Sequence, residues 1–368
     1  MAGFGLGPNW RCLFANDIDP LKAESYRANH GGGKELLVRD VAEVKPEDLP
    51  GHPDLVWASF PCQDLSLAGK GAGLTGRRSG MFRPFWDLVR QMHKAGRPPK
   101  IVALENVYGA ITSNDGKDFA ALAAAFSGLG YQFGAVVIDA ERFLPQSRPR
   151  FFMIGIRPDL AIPAECVSEK PVALWHPAAL VEGQRRLAGA AAKRWVWWSP
   201  PSPPARNNSL SSIVEDVPAG VKWHTPEETQ YIISLMSEVN LNKVRAAQKQ
   251  GTKVVGTIYR RTRTGTDGVK RQRAEVRFDE VAGCLRTPAG GSSRQTIMVV
   301  EGDSIRSRLL SPREAASLMG LPDTYVLPER YNDAYKLAGD GVAVPVVKHL
   351  AESIFEPVLD RNRLALVA

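Results

Sequence analysis

The chain has 368 residues, of which 44% are hydrophobic and 23% charged, and its formal net charge is +8. This length predicts two domains or one domain with a large insertion, and the hydrophobic fraction is sufficient for a buried core. There is no apolar run of membrane-spanning length, no signal-peptide pattern, no C-x-x-C pair among the four cysteines and no metal-ligand spacing among the six histidines. We therefore expect a cytoplasmic protein with neither a disulfide framework nor a metal site.

The first forty residues predict a strand, a helix and a second strand. Residues 11–15 have strand character, and Asp19-Pro20 is a typical helix start, with an N-cap followed by proline in the first turn. The helix is expected to end before a run of three glycines, and Leu36–Val38 forms the second strand. Asp17 and Asp40 follow the two strands. In doubly wound folds an acidic residue at a strand end holds the ribose of a nucleotide-like ligand, although Asp17 could equally be a turn carboxylate.

Pro61-Cys62-Gln63 follows an apolar run at residues 55–58 that has the composition of a strand. Proline ends the strand, so Cys62 would lie on a turn at the sheet edge where ligands bind in open α/β folds. The following loop is rich in glycine and contains the basic residues Lys70, Arg77 and Arg78. A reactive thiolate needs partly exposed, electropositive surroundings, and we therefore interpret Cys62 as a nucleophile rather than as a core cysteine.

Helices and strands continue to alternate after this loop. Apolar residues at helical spacing predict a helix over residues 82–92 whose stripe belongs to the core. A buried strand at residues 101–104 ends in Glu105, which should lie at the same sheet edge as Cys62. Another helix is predicted over residues 119–129.

Two further strands, at residues 134–138 and 151–156, enclose Gln146, Arg148 and Arg150. In an extended segment, side chains spaced two apart share a face. The three side chains would then present donors suited to a phosphate or to a base edge. A surface cluster of ion pairs is the alternative interpretation.

From about residue 158 the alternation fades, and a helical segment is predicted over residues 229–249. Between Lys243 and Arg277 there are 11 basic residues and two acidic ones. Such a dense basic run predicts contact with a polyanion. Regular structure returns at Ser311-Pro312-Arg313-Glu314, which has the pattern of a capping box, and a last helix covers residues 346–354.

Five motifs in this order resemble those of the cytosine-5 DNA methyltransferases of bacterial and phage type. They are Pro61-Cys62-Gln63, Glu105-Asn106-Val107, Gln146-x-Arg148-x-Arg150, Arg308-x-Leu310-Ser311-Pro312-Arg313-Glu314 with Gly320-Leu321-Pro322-Asp323, and Gly339-Asp340-Gly341-Val342. The stretch between the arginine motif and Arg308 is similar to the target-recognition insert of that family. Within it, residues 285–291 resemble the element that enters the major groove.

The resemblance implies an α/β fold, an S-adenosylmethionine-dependent methyltransferase (Rossmann-like) sheet with an inserted smaller target-recognition domain. Residues 1–157 would form the first part of the catalytic, cofactor-binding domain, residues 158–305 the target-recognition domain, and residues 306–368 a return segment that completes the catalytic domain. It also implies double-stranded DNA as substrate and S-adenosyl-L-methionine as cofactor. A monomer is expected, with a cognate restriction endonuclease as a further partner.

The implied reaction is methyl transfer to carbon 5 of a flipped-out cytosine in specific DNA sequences. Cys62 would attack carbon 6, Glu105 would protonate or hydrogen-bond ring N3, Arg148 would hold the base carbonyl and orient Glu105, and Arg150 would support the site. The implied cofactor residues are Gly5, Gly7, Asp17, Ile18, Asp40, Val41, Pro61, Met81, Phe82, Asp340 and Val342. The implied DNA-binding residues are Gln63, Ser66, Gln146, Arg260, Arg261, Arg263, Arg286, Thr287, Gly290, Gly291 and Arg294. Of these, Arg260, Arg261 and Arg263 would contact phosphates, and residues 286–294 would read bases.

Two features depart from the family pattern. Asp340 stands where the family usually has asparagine, and Gly3-Phe4-Gly5 lies too close to Asp17 to be the opening glycine motif. We therefore expect the chain to start partway through that motif and to lack a central first strand. The alternatives are a tRNA cytosine-5 methylase with the same catalytic motifs and a catalytically impaired DNA-binding relic. The large basic insert favours duplex DNA.

Overall fold

The structure is a computed structural model that describes residues 1–60, 82–264, 268–286 and 294–367. The chain forms two compact units, each assembled from separated segments. The N-terminal unit comprises Gly5–Asp139, Pro149–Pro203 and Val346–Ala368, and the insert unit comprises Met1–Phe4, Ala140–Arg148 and Pro204–Pro345. The domain boundaries predicted near residues 157 and 305 do not coincide with these changes of unit. They were drawn to separate the catalytic part of the chain from the target-recognition part, and that division stays a prediction.

Strands and helices alternate through the first part of the chain, and the predicted mixed α/β class is confirmed. The strands are β1 (Ala15–Asp17), β2 (Leu36–Val38), β3 (Leu55–Ser59), β4 (Ile101–Val107), β5 (Gln132–Asp139), β6 (Pro149–Ile156), β7 (Val167–Ser168), β8 (Trp197–Trp198), β9 (Val254–Thr264), β10 (Lys270–Arg277), β11 (Thr296–Glu301) and β12 (Ser304–Leu309). The helices are α1 (Ala2–Leu6), α2 (Pro20–Asn29), α3 (Phe82–Lys94), α4 (Lys117–Gly128), α5 (Ala178–Arg185), α6 (Gly189–Lys193), α7 (Leu210–Ile213), α8 (Pro226–Ser234), α9 (Glu238–Gln248), α10 (Pro312–Ser317), α11 (Tyr331–Asp340), α12 (Val344–Leu350) and α13 (Glu356–Val367). A π-helical turn over Ala351–Phe355 joins the last two helices.

The N-terminal unit contains a four-stranded sheet in the order β3-β4-β6-β5. Strands β3 and β4 are parallel, whereas β6 runs antiparallel to both β4 and β5. Strand β4 is buried along nearly its whole length, which explains its continuous apolar sequence. The pairing brings the carboxyl ends of β3 and β4 side by side, with Ser59 opposite Glu105.

Helices α3 and α4 pack on this sheet through aromatic side chains. The ring centroid of Trp86 lies 4.7 Å from that of Phe126 and 5.6 Å from that of Phe82. Phe82 lies 5.6 Å from Phe60, which directly follows β3. The apolar stripe predicted over residues 82–92 therefore belongs to the core, as expected.

A separate two-stranded sheet is formed by β1 and β2, which pair in parallel with Asp17 opposite Val38. The strand predicted at residues 11–15 lies instead at Ala15–Asp17, where it pairs with Leu36–Val38. Among the residues that the structure describes, no strand joins this pair to β3, and residues 2–6 are helical.

The C-terminal helices pack within the N-terminal unit. The ring of Phe355 lies 6.5 Å from Trp57 of β3 and 6.3 Å from Trp10. The indole of Trp10 donates a hydrogen bond to Glu356 at 2.9 Å. The helix predicted over residues 346–354 is thus part of a longer helical segment that supports β3 with an aromatic cluster.

The insert unit contains an antiparallel sheet in the order β10-β9-β11-β12. Helices α8 and α9 cover one face of this sheet with Ile232, Met236, Val244 and Ala247. The single helix predicted over residues 229–249 is divided into two. Between them, the carbonyl of Leu235 accepts a hydrogen bond from the N–H of Ala274 in β10 at 3.0 Å, so the backbone leaves the helical path.

Candidate functional site

The predicted nucleophile comes directly after strand β3. The structure describes this part of the chain up to Phe60, and Pro61, Cys62, Gln63, Ser66 and Met81 lie outside the described residues. The carbonyl of Phe60 accepts a hydrogen bond from Nδ2 of Asn106 at 3.2 Å, and Asn106 is buried. Because Asn106 belongs to β4, this bond ties the residue before the Pro-Cys pair to the neighbouring strand.

Glu105 and Arg150 form a largely buried ion pair at the same edge of the sheet. Nε of Arg150 lies 3.1 Å from Oε1 of Glu105, and the two side chains are 15% and 10% exposed. Strand pairing accounts for this contact, since Arg150 of β6 lies opposite Val107 of β4. Removing one partner of such a pair leaves an uncompensated charge in a poorly solvated place. The two side chains therefore hold each other in position beside the end of β3.

Arg148 does not take the position that we predicted for it. We expected it to orient Glu105, but in the structure Arg150 makes that contact. Arg148 is buried, at 2% exposure, and its guanidinium donates within the insert unit. The acceptors are Leu285 O (3.1 Å), Cys284 Sγ (3.3 Å), Gly339 O (2.8 Å) and Gly341 O (2.7 Å).

Gln146 is fully buried and also has partners in the insert unit. Its Nε2 donates to the carbonyl of Leu318 at 2.6 Å, and its Oε1 accepts from the N–H of Leu285 at 3.2 Å. Gln146 and Arg148 share Leu285 as a partner, whereas Arg150 contacts Glu105, so the three motif side chains do not meet at one partner and the amide of Gln146 is used inside the insert unit. Gln146 therefore presents no exposed donor for the DNA contact that we predicted.

Two carboxylates and an exposed apolar side chain lie where β1 and β2 end. Asp17 is the last residue of β1, and Asp40 follows β2 and caps a short helical turn that begins at Val41. Ile18, which directly follows Asp17, is an apolar residue that is 63% exposed. Parallel pairing of β1 and β2 brings both acidic residues to one edge. This set fits an adenosine group, whose hydroxyl and amino groups need acceptors and whose base packs on an apolar surface.

The other predicted cofactor residues are distributed over both units. Gly5 is buried within α1, and Gly7, which follows this helix, has a φ of +81°. Phe82 is 6% exposed and packs in the aromatic core described above. Asp340 is exposed at the end of α11, Val342 is buried just after it, and both belong to the insert unit. Their contacts with a cofactor stay predictions.

Strands β9 and β10 form a hairpin that carries four exposed arginines on one face. Arg261 lies opposite Arg273, and Arg263 lies opposite Arg271. Arg263 also pairs with Glu275 at 3.0 Å. Like charges directly opposite each other destabilise a strand pair, so a polyanion that neutralises this face would relieve the repulsion. We call this surface the arginine face.

Arg260, which we had grouped with Arg261 and Arg263, points away from the arginine face. It lies opposite Ala274, which is 1% exposed and packs in the core beneath α8 and α9. The composition of the segment predicted a basic surface, but only the hairpin register shows which arginines share a face. We missed Arg271 and Arg273 as individual candidates, although their spacing of two was a usable signal.

The predicted base-reading element is described only at its two ends. Thr287, Gly290 and Gly291 lie outside the described residues, and Arg286 is exposed. At the other end, Arg294 donates to Oδ1 of Asn332 at 2.5 Å, and its guanidinium lies 5.5 Å from the ring centroid of Tyr331. The predicted base contacts of this element stay predictions.

No group of three or more His, Cys, Asp or Glu side chains among residues 1–60, 82–264, 268–286 and 294–367 could hold a metal ion. Within the described part of the chain, every helix is too short or too polar to cross a membrane.

Comparisons with known proteins identify the family that the motifs resemble. The family model of the C-5 cytosine-specific DNA methylases matches residues 3–356. The type II methyltransferase M.BsuFI of Bacillus subtilis is 25% identical over 350 residues, which cover 95% of this chain and 68% of the relative. The type II methyltransferase M.HhaI of Haemophilus parahaemolyticus is 24% identical over 344 residues, which cover 93% of this chain and 87% of the relative.

Solved structures share the fold over most of the chain. The Dnmt2 methyltransferase of S. pombe has a TM-score of 0.53 at 16% identity, covering 94% of this chain and 91% of its own. The Entamoeba histolytica methyltransferase EhMeth has a TM-score of 0.56 at 13% identity, covering 94% and 89%. At these identities the likeness concerns the fold, and it confirms the predicted methyltransferase architecture. Because the family match extends over nearly the whole sequence, this chain belongs to the C-5 cytosine-specific DNA methylase family and is a DNA cytosine methyltransferase.

Proposed function

We propose that this chain methylates carbon 5 of a flipped-out cytosine in specific sequences of double-stranded DNA, through a covalent adduct at Cys62. The observation that supports the proposal best is the buried edge where β3 and β4 end. There Arg150 pairs with Glu105, and Asn106 holds the carbonyl of Phe60, two residues before the cysteine. An acidic group, a cation and a fixed strand end thus stand together where the chain leads into the Pro-Cys pair in the sequence.

The chemistry of cytosine explains why these residue types are needed. Carbon 5 is too weak a nucleophile to take a methyl group unaided. Attack of the Cys62 thiolate forms a bond between sulfur and carbon 6 and shifts the electrons of the 5,6 double bond toward carbon 5. In its protonated form Glu105 gives a proton or a hydrogen bond to ring N3 and so stabilises this adduct, while Arg150 orients the Glu105 carboxyl group. After methylation, a base takes the proton from carbon 5, the electron pair left behind re-forms the 5,6 double bond, and the carbon–sulfur bond breaks to regenerate the Cys62 thiolate.

S-adenosylmethionine supplies the methyl group in this reaction. We assign Asp17 to its ribose, Asp40 to the adenine amino group and Ile18 to the face of the adenine ring. The exposure of Ile18 beside two carboxylates at one strand edge supports this assignment, because the apolar side chain has little packing within its own unit.

The arginine face of the insert unit is the proposed contact with DNA phosphates. Arg261, Arg263, Arg271 and Arg273 project from one side of an exposed hairpin, where they can follow a charged backbone. We assign base reading to the segment between Arg286 and Arg294. The target base must leave the helical stack before Cys62 can reach carbon 6.

The partners of the chain are part of the same proposal. M.BsuFI and M.HhaI are named as type II methyltransferases. By analogy, we propose that this enzyme acts in the cytoplasm as a monomer and protects DNA against a cognate restriction endonuclease.

The proposal is tested in two steps. Incubation with labelled S-adenosylmethionine and varied duplexes, followed by bisulfite sequencing, identifies the methylated sequence. A duplex with 5-fluorocytosine at the target should then trap the enzyme covalently, because fluorine cannot leave as a proton does. Cys62→Ala should give no trapped complex, whereas Cys12→Ala, which changes an exposed cysteine outside the site, should trap like the unaltered chain. A complex that persists in Cys62→Ala, or no methylation of any duplex, would overturn the proposal.

A further inference from the structure

We propose that Asn16 is a positioning residue for the cofactor site, because its side chain fixes the backbone that carries Asp40 relative to Asp17. This inference rests on the proposed function, in which Asp17 binds the ribose and Asp40 the adenine amino group of S-adenosylmethionine. Asn16 is assigned no contact with the cofactor. Its role is to set the relative placement of the two carboxylates that make those contacts.

The side-chain amide of Asn16 reaches from β1 to the backbone of β2 and of the residue after it. Its Nδ2 donates to the carbonyl of Leu37 at 3.0 Å and to the carbonyl of Arg39 at 2.8 Å. An amide nitrogen carries two hydrogens, so one side chain can make both bonds at once. The carbonyl of Arg39 belongs to the planar peptide unit that joins Arg39 to Asp40, and the second bond therefore fixes the orientation of that unit.

The backbone of β1 holds Arg39 through its other main-chain polar group. The N–H of Arg39 donates to the carbonyl of Asp17 at 3.2 Å. Both main-chain polar groups of Arg39 are therefore bonded to neighbouring residues of β1, one to the Asn16 side chain and the other to the Asp17 backbone. Because Asp40 follows directly in the chain, these two bonds set its position relative to Asp17.

Each of the two carboxylates is oriented by a bond within its own turn. Oδ1 of Asp17 accepts from the N–H of Asp19 at 2.9 Å, and Oδ1 of Asp40 accepts from the N–H of Ala42 at 2.9 Å. These bonds fix each side chain relative to its own backbone. The placement of one turn relative to the other is left to the contacts between β1 and β2, to which Asn16 contributes.

The strand pair is short, which makes the contribution of one side chain large. Strands β1 and β2 have three residues each, and in the described part of the chain neither pairs with a further strand. A two-stranded pair alone is at best marginally stable in water. Hydrogen bonds also weaken steeply when their geometry is distorted. Loss of the Asn16 amide should therefore displace Asp40 and reduce the preference of the site for an adenine base.

Isothermal titration calorimetry of the full chain with S-adenosylhomocysteine and with S-inosylhomocysteine measures this preference. The inosine analogue has an oxygen in place of the adenine amino group, and that oxygen cannot donate to the Asp40 carboxylate. A hydrogen bond to a charged group corresponds to a ratio of the two Kd values of about 10- to 100-fold. We expect this ratio to fall about tenfold in Asn16→Ala. It should stay unchanged in the matched control Asn362→Ala, which removes an amide that donates to the carbonyls of Ala161 at 2.9 Å and Val358 at 2.6 Å in the same unit.

Asn16→Asp is the second variant, because it keeps the size of the side chain but replaces the donor with an acceptor that repels the two carbonyl oxygens. We expect the same loss of preference in this variant, and in both variants faster amide hydrogen exchange at Arg39 without cofactor. If the unaltered chain prefers adenine but both variants keep its ratio, the positioning role is wrong and the proposed function stands. If the unaltered chain shows no preference for adenine, the proposed assignment of Asp40 fails, and unchanged exchange at Arg39 would overturn the positioning role separately.

Discussion

The ion pair between Arg308 and Glu314 is entirely buried in the insert unit, and its disruption should have a large effect on stability. The two guanidinium–carboxylate contacts are 2.8 and 2.6 Å long, and both side chains are 0% exposed. Glu314 also accepts from the backbone N–H groups of Ser311 at 2.6 Å and Glu215 at 2.8 Å. One carboxylate therefore joins three segments of the insert unit.

The magnitude follows from the burial of both charges. Arg308→Met leaves the carboxylate of Glu314 without its counterion, and breaking a buried pair in this way costs about 3–5 kcal/mol. For a unit of this size, 1 kcal/mol lowers Tm by about 2–4 °C, so the insert unit should melt about 6–20 °C lower. The double variant Arg308→Met with Glu314→Gln buries no net charge. It should be more stable than Arg308→Met alone.

Differential scanning calorimetry is the appropriate assay, because the two compact units can unfold in separate transitions. Arg245→Met serves as the control, since it breaks an exposed pair whose side chains are 55% and 68% exposed. Such a pair contributes about 0–1 kcal/mol. The reasoning would be refuted if Arg308→Met behaved like Arg245→Met, or if the double variant were less stable than the single one.

Three further predictions concern the catalytic edge, the arginine face and pH. Asn106→Ala removes the bond to the Phe60 carbonyl and should lower the single-turnover methylation rate by about 10²-fold, which is the typical effect of misplacing a catalytic group by about 1 Å. An unchanged rate at unchanged cofactor affinity would contradict this. Arg261→Gln with Arg273→Gln should weaken binding to all duplexes and reduce the slope of log K against log salt concentration by about 0.9 per lost phosphate contact; without DNA it should raise Tm, because two opposed charges are removed. The charge-matched control is Arg361→Gln with Arg363→Gln, and a change in target sequence would argue against a phosphate role. Burial lowers the pKa of His176 from 6.5 to about 4, so between these pH values the unfolded chain binds more protons than the folded chain, and the free energy of unfolding should rise with pH by up to about 3 kcal/mol. In urea denaturation, His176→Gln should show a flatter dependence of this free energy on pH.

Features that depend on neighbouring residues could be predicted from the sequence. Asp19 accepts from the N–H of Leu21 at 3.0 Å and caps α2 as predicted. Ser311 accepts from the N–H of Glu314 at 3.1 Å, and Glu314 accepts from that of Ser311, which confirms the predicted capping box. These contacts join residues two or three positions apart, so their signal is contained in a short stretch of sequence.

Features that depend on distant partners could not be predicted. Arg148 meets Leu285 across 137 residues and Gly341 across 193, and spacing within its motif carries no information about either contact. The same limit applied to Arg260, whose orientation depends on its register with Ala274. For β1, the composition of residues 11–15 carried no information about the register in which Ala15–Asp17 pairs with Leu36–Val38.

The segmented make-up of the insert unit has a consequence for building chimeric enzymes. A graft of residues 204–345 alone would leave the recipient's own chain at the position of residues 140–148, which we call the strap and which belong to the same compact unit. Leu285, Gly339 and Gly341 of the graft would then meet foreign side chains in place of Gln146 and Arg148. An exchange meant to transfer sequence preference must therefore also include the strap, with additional junctions at 139/140 and 148/149.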